Sequence, residues 1–478
     1  MAKFRLRYAP SPTGFLHIGN TRTALMNYLF AHHYGGDFIV RIEDTDIERN
    51  VEGAIESQFD NMDWLGISPD ESFLKPVAKY GEYMQSKKFD RYKQLAHDLI
   101  EKGFAYKCFC TPEELQVDRE VQEAKGIVAT KYNRKCLTRT DLKEQEGKPY
   151  NIRFKVPDEK IIKINDIVRG EVEFNTKELG DFVILKSNGI ATYNFAVVID
   201  DVDMEITHVV RGEEHISNTP RQCLIYSAFG WKEPIFGHLT LIVDETKKKL
   251  SKRSGNAMFF ISQYREQGYL PEALFNYISL LGWSPKGEQE IFSKEEFVKM
   301  FDEARFSKSP STFDMLKMKW INHQWMKKMD ESSYLEFTKK FIDSNRFDIS
   351  KKDNDWLNKV LLLFKKELEY GEQINNHLDI FFNDVAISEQ TKKTLSTLSD
   401  YENMIKDLKE GLSSLDIFEE EQIKTIISEV GKKHNKKGKD LFMPIRIFTT
   451  ASEHGPELAK TISLIGKEKV MNNISSLV

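Results

Sequence analysis

The sequence predicts an α/β protein in which a doubly wound parallel sheet carries an inserted α+β domain and is followed by an all-helical region. Over residues 1–107, short apolar strands alternate with helical patterns, as in a parallel sheet with crossover helices. Over 108–189 this alternation stops, Cys, Pro and Gly become frequent, and the strands look antiparallel. The alternation resumes over 190–245. Residues 246–325 then lead to a region, 326–478, in which apolar residues follow helical spacing.

Turn and capping residues mark the elements of the α/β part. A helix whose apolar residues begin at Ile55 is expected to end at Gly66. Another is expected to have Thr219 as its N-cap and Pro220 as its first residue, and to end at Gly230. The predicted first helix is Thr21–Phe30, and the predicted strands are Phe4–Tyr8, Phe38–Ile42, Asn151–Val156, Glu171–Asn175, Phe182–Lys186, Ala196–Ile199 and His208–Val210.

The helical part carries apolar stripes of the kind that face a protein core. Such stripes are far more often packing surfaces than ligand sites. They lie on Trp356–Phe364, on Tyr401–Leu412, and on two helices, Leu458–Ile465 and Val470–Leu477, that Gly466 separates.

Composition indicates a soluble globular protein. With 478 residues, 40% hydrophobic and 30% charged, the chain can bury large cores and is not disordered. It has no apolar segment of membrane-spanning length and no signal-type stretch near the N-terminus, so we expect a cytoplasmic protein. The net charge of −5 argues against a general nucleic-acid coat but permits a local basic track. The strongest local cluster, Lys432–Lys439, is either such a track or a solvated loop.

Two segments far apart in the chain carry the most information about function. Pro10–Asn20 is a turn between the first strand and the first helix. Backbone N–H groups at such a turn, together with the helix N-terminus, form an anion site that suits a triphosphate. Lys249–Arg253 is a compact cationic loop that can place ammonium and guanidinium groups on phosphate oxygens. Either segment alone is a weak signal, but the pair is a strong one.

The pair resembles the HIGH and KMSKS signatures of class I aminoacyl-tRNA synthetases. Here they read His17-Ile18-Gly19-Asn20 and Lys249-Leu250-Ser251-Lys252-Arg253. Three further segments, Arg7–Gly14, Phe38–Asp46 and Val210–His215, narrow the resemblance to the bacterial-type glutamyl-tRNA synthetases. The resemblance implies a Rossmann-like catalytic core, an insertion that binds the tRNA acceptor end, a stem-contacting region around the second signature and a helical anticodon-binding domain.

The resemblance also implies the reaction and the residues that serve it. ATP and L-glutamate would form glutamyl-adenylate and pyrophosphate, and the terminal ribose of tRNA-Glu would then take the glutamate and release AMP. This chemistry needs positioning and charge neutralisation, which the resemblance assigns to His17, Lys249 and Lys252, with Mg²⁺ accompanying the ATP. Asn20 replaces the last His of HIGH, a change that this family tolerates. The implied ATP-binding residues are Pro10, Ser11, Thr13, Gly14, His17, Gly19, Asn20, Leu250, Ser251, Lys252 and Arg253.

Glutamate itself dictates what its pocket must contain. Its two carboxylates and one ammonium call for two cations and one anion, and the planar fork of arginine suits a carboxylate best. Arg7 and Arg211 end predicted strands, at the edge where open α/β sheets bind ligands. The alternative for any one charge is a buried structural ion pair, such as Arg41 with Asp44. The resemblance assigns Arg7 and Tyr193 to the side-chain carboxylate, Arg211 to the other carboxylate and Glu43 to the ammonium, with Ala9 and Ser11 also in the pocket.

Three cysteines in the predicted insertion suggest a structural zinc site. Cys108, Cys110 and Cys136 offer soft thiolates, and their spacing resembles that of zinc-binding members of this family. Thr138 stands where a His or Asp would be the usual fourth ligand. Tyr132 is the substitute ligand that a related truncated paralogue family implies. A metal-free loop with three ordinary thiols is the alternative.

Other functions fit the sequence less well. A glutaminyl-tRNA synthetase would have Asp in place of Glu43 and a β-barrel anticodon part. A truncated paralogue would end near residue 300, and a small-molecule adenylyltransferase would not need the helical domain. A non-enzymatic tRNA-binding derivative would be expected to lose Lys249, Lys252 and Arg253. The sequence leaves open whether the enzyme also glutamylates tRNA-Gln, which depends on anticodon contacts around Leu363–Gln373. A monomer is expected.

Overall fold

The structure is a computed structural model that describes residues 3–141, 145–251, 258–384, 386–398 and 400–477. The chain divides into two compact units. The first is an α/β unit and the second is helical. The first comprises Met1–Gln263 and Leu274–Met315, and the second comprises Tyr264–Ala273 and Leu316–Val478.

The strands form one parallel sheet and several smaller antiparallel or two-stranded ones. In chain order they are β1 (Arg5–Tyr8), β2 (Asp37–Val40), β3 (Ala105–Cys108), β4 (Asn151–Phe154), β5 (Ile161–Asp166), β6 (Gly170–Asn175), β7 (Phe182–Leu185), β8 (His208–Gly212), β9 (Ile235–Leu239), β10 (Ile242–Val243) and β11 (Ser311–Thr312).

The first ten helices surround or follow this sheet. Several begin at clear capping signals, since Thr111 and Ser293 each form a capping box at the start of a helix. In chain order the helices are α1 (Ile18–His33), α2 (Ala54–Trp64), α3 (Phe89–Glu101), α4 (Pro112–Ala124), α5 (Lys135–Thr138), α6 (Tyr193–Asp203), α7 (Thr219–Phe229), α8 (Ile261–Gln267), α9 (Pro271–Ser279) and α10 (Lys294–Met300).

The parallel sheet has the strand order β2-β1-β8-β9. β1 pairs with β2 on one side, with Arg7 opposite Ile39, and with β8 on the other side, with Leu6 opposite His208. The chain therefore passes from β1 to β2 on one side of β1 and later adds β8 on its other side. This reversal makes the carboxyl ends of β1 and β8 a topological switch point. Open α/β sheets bind ligands at such a point.

The insertion is built from antiparallel strands, as predicted. β4 pairs with both β3 and β7, and β5 and β6 form a hairpin. Of the two hairpin strands, only β6 was predicted from the sequence. The end of this hairpin lies on β9, where the Ile167 amide donates to the Phe236 carbonyl at 3.0 Å. Gly237 fits this contact because a Cβ there would lie 2.7 Å from the Ile167 side chain.

Two local predictions were wrong. Ala196–Ile199 was predicted to be a strand but lies within helix α6, and its side chains are buried. A short apolar run is ambiguous between a buried strand and a buried helix, and the helix is longer than the run. In helix α7 the N-cap is Asn218, so Thr219 is the first helical residue and Pro220 the second. A Pro in the first turn still suits the helix, because no intrahelical bond is lost there.

The second unit contains the helical stripes that the sequence predicts. Leu357, Val360 and Leu361 are buried on α13, and Ile405 and Leu408 are buried on α16. No helix among the described residues is both long and apolar enough to cross a membrane. The helices are α11 (Met315–Lys328), α12 (Glu331–Lys339), α13 (Asn354–Leu363), α14 (Ile374–Phe382), α15 (Glu389–Ser396), α16 (Glu402–Ser413), α17 (Glu420–Lys433), α18 (Lys439–Thr450), α19 (Leu458–Ile465) and α20 (Lys467–Leu477).

Candidate active site

His17 fixes the start of helix α1. It is the N-cap, and its Nδ1 accepts a hydrogen bond from the Asn20 backbone N–H at 3.3 Å. This satisfies one of the amides that a helix N-terminus leaves unpaired. Gly19 suits the close packing here, since a Cβ at that position would lie 3.2 Å from the His17 ring and the ring would have to shift. The conformation of the turn therefore depends on the residue types of the first signature.

The chain that follows the second signature runs alongside the first. The Ile18 amide donates to the Phe259 carbonyl, and the Ile261 amide donates to the Leu16 carbonyl, each at 3.1 Å. The His17 ring also stacks on Phe259 with a centroid distance of 4.6 Å. This pairing holds the segment that follows the second signature against the first signature. Lys252 and Arg253 lie outside the described residues.

A cavity of about 600 Å³ lies between the two segments. Its size falls in the ordinary range of small-molecule sites. Pro10, Ser11, Thr13 and Gly14 were predicted to bind ATP but do not line this cavity. The predicted residues that line it are His17, Gly19, Asn20, Lys249, Leu250 and Ser251, and those not predicted are Arg22, Thr23, Gly212, Glu214, Leu241, Ile242 and Phe259.

Some of the missed lining residues had a signal in the sequence. Arg22 and Thr23 follow Gly19 by three and four positions, which places them on the same face of helix α1. Glu214 belongs to the Val210–His215 segment. Phe259 had no such signal, because only the tertiary pairing of its backbone with Ile18 brings it to the cavity.

At the carboxyl end of β1, Arg7 is held by a buried carboxylate. Its Nε donates to Asp201 Oδ1 at 3.1 Å and its Nη2 to Asp201 Oδ2 at 3.4 Å, and both side chains are 4% exposed. These bonds use two of the five N–H groups of the guanidinium, so three can still meet a ligand. Ala9 and Ser11 continue the chain from this edge toward helix α1.

Arg41 and Glu43 belong to the same buried cluster. Arg41 is in buried ion pairs, as the alternative interpretation holds, but not with the example partner Asp44: it donates to Asp201 Oδ1 at 2.8 Å and to Glu43 Oε1 at 3.2 Å. Asp44 accepts from the backbone and the hydroxyl of Ser86 instead. Burial raises the pKa of Glu43 to about 7, although the positive charges of Arg41 and Arg7 oppose this rise.

Arg211 is anchored more firmly than Arg7. Its Nη1 donates to the Tyr193 hydroxyl at 3.3 Å and its Nε to His238 Nε2 at 3.2 Å. Its Nη2 donates to the side chains of Thr219 and Gln222, at 2.9 and 2.8 Å. Four of its five N–H groups are thus occupied. The charges of Arg211, Glu43 and Arg7 all act on the Tyr193 hydroxyl, so these four side chains lie near one another, and burial raises the pKa of Tyr193.

His238 and the insertion hold Arg211 from behind. His238 Nδ1 lies 2.6 Å from Asp166 Oδ2, and burial lowers the pKa of this histidine. A neutral imidazole has one donor and one acceptor. Because the carboxylate can only accept, Nδ1–H donates to Asp166, which leaves Nε2 to accept from Arg211. Asp166 belongs to strand β5 of the insertion, so the inserted domain contributes directly to the orientation of this arginine.

The predicted zinc ligands converge in the insertion. The sulfur atoms of Cys108, Cys110 and Cys136 lie within 4.8 Å of one another, and no other such group of His, Cys, Asp or Glu is found among the described residues. The Tyr132 hydroxyl lies 3.5 Å from Cys108 Sγ and 3.3 Å from Cys110 Sγ. With zinc–sulfur bonds of about 2.3 Å, thiolates around one tetrahedral ion are about 3.8 Å apart. The donor set therefore fits zinc with little rearrangement.

The surroundings act in opposite directions on the pKa values of two of these thiols. Burial opposes ionisation of Cys136, but hydrogen bonds from Tyr132, the Phe109 amide, Cys110 and Arg139 lower its pKa to about 7. Burial raises the pKa of Cys110 to about 12. Thr138 does not join the cluster, since it is exposed and its hydroxyl donates to the Lys135 carbonyl.

The Lys-rich run borders a separate cavity in the helical unit. This cavity has a volume of about 750 Å³ and lies between α17 and α18. Phe442 is 47% exposed at its edge. An exposed aromatic ring beside cationic side chains is typical of surfaces that bind unpaired nucleotides. The lining includes the apolar residues Ile427, Leu441, Phe442 and Leu458 and the cationic residues Lys424, Lys432, Lys436, Lys437 and Arg446.

The chain belongs to the class I tRNA synthetases of the E and Q type. Residues 3–320 match the family described as "tRNA synthetases class I (E and Q), catalytic domain", and residues 324–478 match the "Anticodon binding domain". The predicted fold class, an α/β class I core followed by a helical anticodon-binding region, is thereby confirmed.

Within this class, the chain is a member of the glutamate–tRNA ligase family. It is 66% identical to the glutamate–tRNA ligase of Mycoplasma capricolum, with 99% of both chains covered. It is 65% identical to that of Mesoplasma florum, with 100% of both chains covered. It is 37% identical to a glutamate tRNA ligase from Elizabethkingia meningosepticum solved in complex with its amino acid, with 99% of both chains covered and a TM-score of 0.88. The predicted family resemblance is confirmed.

The raised pKa of Glu43 predicts a pH-dependent cost to stability. The folded protein holds a proton on Glu43 up to about pH 7, whereas the unfolded chain loses it near the ordinary value of 4.5, so the contribution of this group to the free energy of unfolding falls as pH rises between these values. The Glu43→Gln variant removes this dependence. Relative to wild type, its free energy of unfolding should rise by about 2–3 kcal/mol from pH 5 to pH 8 in urea titrations. Glu52→Gln, at an exposed position, is the control, and a parallel response of both variants would contradict the prediction.

Proposed function

We propose that this protein attaches L-glutamate to tRNA-Glu, and that the cavity between its two signature segments binds ATP. The observation that carries this proposal is that one cavity is lined both by the N-terminus of helix α1, with His17, Gly19 and Asn20, and by the cationic segment Lys249–Ser251. Polar groups fixed in this way stabilise phosphate charge without reorganising during the reaction. MgATP is the substrate, and the cation enters with it.

Glutamate is held at the carboxyl edge of the sheet. The side-chain carboxylate accepts from the open N–H groups of Arg7 and from the Tyr193 hydroxyl. The α-carboxylate receives the remaining N–H of Arg211, and ionised Glu43 pairs with the ammonium. Each of these side chains already has a buried partner that fixes its direction, which leaves few orientations open to the ligand.

Activation then requires little beyond placement and charge. The α-carboxylate of glutamate attacks the α-phosphorus of ATP in line, and pyrophosphate leaves. His17, Lys249 and Lys252 neutralise the charge that develops on the leaving pyrophosphate. The terminal ribose hydroxyl of tRNA attacks the mixed anhydride, and AMP leaves. The proposed nucleotide site also includes four residues that line the cavity, Gly19, Asn20, Leu250 and Ser251. It extends beyond the cavity lining to Pro10, Ser11, Thr13, Gly14 and Arg253.

Residues 1–107 and 190–245 form the catalytic domain, and the remaining regions bind the tRNA. Residues 108–189 bind the acceptor end, 246–325 contact the stem and 326–478 bind the anticodon. We propose that the protein acts as a cytoplasmic monomer.

Activity assays with purified protein test this function. The protein should charge tRNA-Glu with glutamate and leave tRNA-Gln uncharged, and glutamate-dependent pyrophosphate exchange should appear only when tRNA is added. Lys249→Ala should lower the activation rate on the order of 10²-fold with little change in glutamate affinity, because it removes charge stabilisation of the leaving group.

Lys247→Ala provides a matched control, since this neighbouring lysine donates to Thr312 and does not line the cavity. Equal losses in the two variants would show that Lys249 has no special role. Efficient charging of tRNA-Gln would instead identify the enzyme as non-discriminating, and a lack of charging of either tRNA would overturn the proposed function.

We also propose that Cys108, Cys110, Cys136 and Tyr132 hold a structural Zn²⁺. Bound zinc would cross-link the end of β3 to α5 and so stabilise this part of the insertion. The Phe109 amide donates to Cys136 Sγ at 3.4 Å, an outer contact of the kind that supports metal-bound thiolates.

Elemental analysis should find one zinc per chain. Cys108→Ser should lose the metal and destabilise the insertion locally, detected as faster proteolysis or amide exchange there. Cys223→Ser is the control, because this buried cysteine lies on α7 outside the cluster and its loss should leave the zinc in place. A folded, fully active protein that contains no metal would refute the zinc site.

The cavity bordered by the Lys-rich run is proposed to receive a base of the tRNA. Phe442→Ala should weaken tRNA binding by roughly 10-fold, as expected for one lost stacking contact, while leaving the KM for ATP and glutamate unchanged. Ile417→Ala, which truncates another exposed apolar side chain of the same unit, should have no effect on tRNA affinity. Unaltered tRNA binding by the Phe442 variant would rule this contact out.

A further inference from the structure

Asp201 is a buried carboxylate between two buried guanidinium groups. Its Oδ1 accepts from both Arg7 Nε at 3.1 Å and Arg41 Nη1 at 2.8 Å, and its Oδ2 accepts from Arg7 Nη2 at 3.4 Å. It is 4% exposed. Buried cations need anions close by, and Asp201 is the carboxylate that contacts both arginines, while Arg41 also lies near Glu43 and Asp200.

Asp201 remains ionised in this position. Burial alone would raise its pKa, but the charges of Arg7 and Arg41 and their hydrogen bonds lower it below the ordinary value. As a fixed anion it holds Arg7 through both Nε and Nη2, which leaves the guanidinium little freedom to rotate. The three open N–H groups of Arg7 therefore keep one direction.

We infer that Asp201 is a positioning residue for amino-acid recognition, which acts by fixing the Arg7 guanidinium in the orientation that receives the side-chain carboxylate of glutamate. This role rests on the proposed function of Arg7. It gives this buried carboxylate a function. An asparagine would present its amide N–H₂ to a guanidinium that can only donate, and the two-point contact with Arg7 would be lost.

The neighbouring carboxylates cannot take over this role. Asp200 is already engaged by Gln85, Tyr92 and Lys88, at 2.8, 2.8 and 2.7 Å. Asp203 pairs with Lys88 and Arg91 and is 20% exposed. Asp203 therefore offers a matched control on the same helix, with the same change of charge.

Steady-state charging kinetics of the full chain test the role of Asp201. For Asp201→Asn, the KM for glutamate should rise by about 10- to 100-fold, as for other misplaced binding groups, with the KM for ATP unchanged. Asp203→Asn should behave as wild type, and Asp201→Glu, which retains the charge, should lose less than Asp201→Asn. Circular dichroism and the KM for ATP establish that each variant is folded.

A double-mutant cycle with Arg7→Lys separates this role from a general structural one. If Asp201 acts through Arg7, the effects of Asp201→Asn and Arg7→Lys on the KM for glutamate should be strongly non-additive. Additive effects, or a folded Asp201→Asn with the wild-type KM, would overturn the role of Asp201 and leave that of Arg7 intact. An unchanged KM for glutamate in Arg7→Ala would instead overturn the proposed function of Arg7.

The pH dependence of glutamate affinity provides a second test, because a purely structural role of Asp201 would not predict a shift in it. Wild-type affinity for glutamate should weaken below about pH 7, where Glu43 takes up a proton. Because the charge of Asp201 opposes ionisation of Glu43, the pH below which glutamate affinity weakens should be lower in Asp201→Asn than in wild type. The same pH in both proteins would contradict the charge coupling. Arg7 and Arg41 are the cations whose charges act on both Glu43 and Asp201, and the titratable hydroxyls near these carboxylates are those of Tyr92, Tyr193 and Tyr226.

Discussion

The site depends on charge balance among side chains buried at the carboxyl edge of the parallel sheet. Arg7, Arg41 and Arg211 lie on or directly after strands and are almost fully buried. An unpaired charge in such surroundings costs several kcal/mol, so each guanidinium must find acceptors nearby. Helix α6 supplies Asp201 for the first two, and His238 with Asp166 supports the third. The recognition groups are therefore rigid before any ligand arrives.

The same balance distinguishes the two arginines that we propose bind the carboxylates of glutamate. Arg7 retains three open N–H groups, whereas Arg211 retains one. A ligand carboxylate can make a forked contact with the former but only a single bond with the latter. In the proposed pocket, specificity for an acidic side chain would therefore fall mainly on Arg7, since every amino acid offers an α-carboxylate. In such a pocket, the side chain that differs between amino acids contacts Arg7, the arginine with more open N–H groups.

How much of this could be read from the sequence depended on the kind of feature. The helical stripes, most strands and the Cys108–Cys110–Cys136 cluster were predictable, because periodicity and ligand type act locally. The strand predicted at Ala196–Ile199 failed because a four-residue apolar run does not distinguish a strand from a helix. The partners of Arg41, the lining residue Phe259 and the role of Asp201 could not be predicted, since they come from elements that are far apart in the chain and adjacent only in the fold.

The insertion is joined to the catalytic edge by more than chain connectivity. Asp166, at the end of its hairpin, accepts a hydrogen bond from His238, which in turn accepts from Arg211. The hairpin also donates a backbone hydrogen bond to β9 through Ile167, and Arg169 forms an ion pair with Glu213 in the segment that follows β8. Removing the hairpin would leave His238 without its acceptor and Arg211 with one restraint fewer. The domain proposed to bind the acceptor end and the proposed amino-acid pocket therefore share a continuous set of hydrogen bonds. Because of this connection, a displacement of the hairpin would act on Arg211, the group proposed to hold the α-carboxylate.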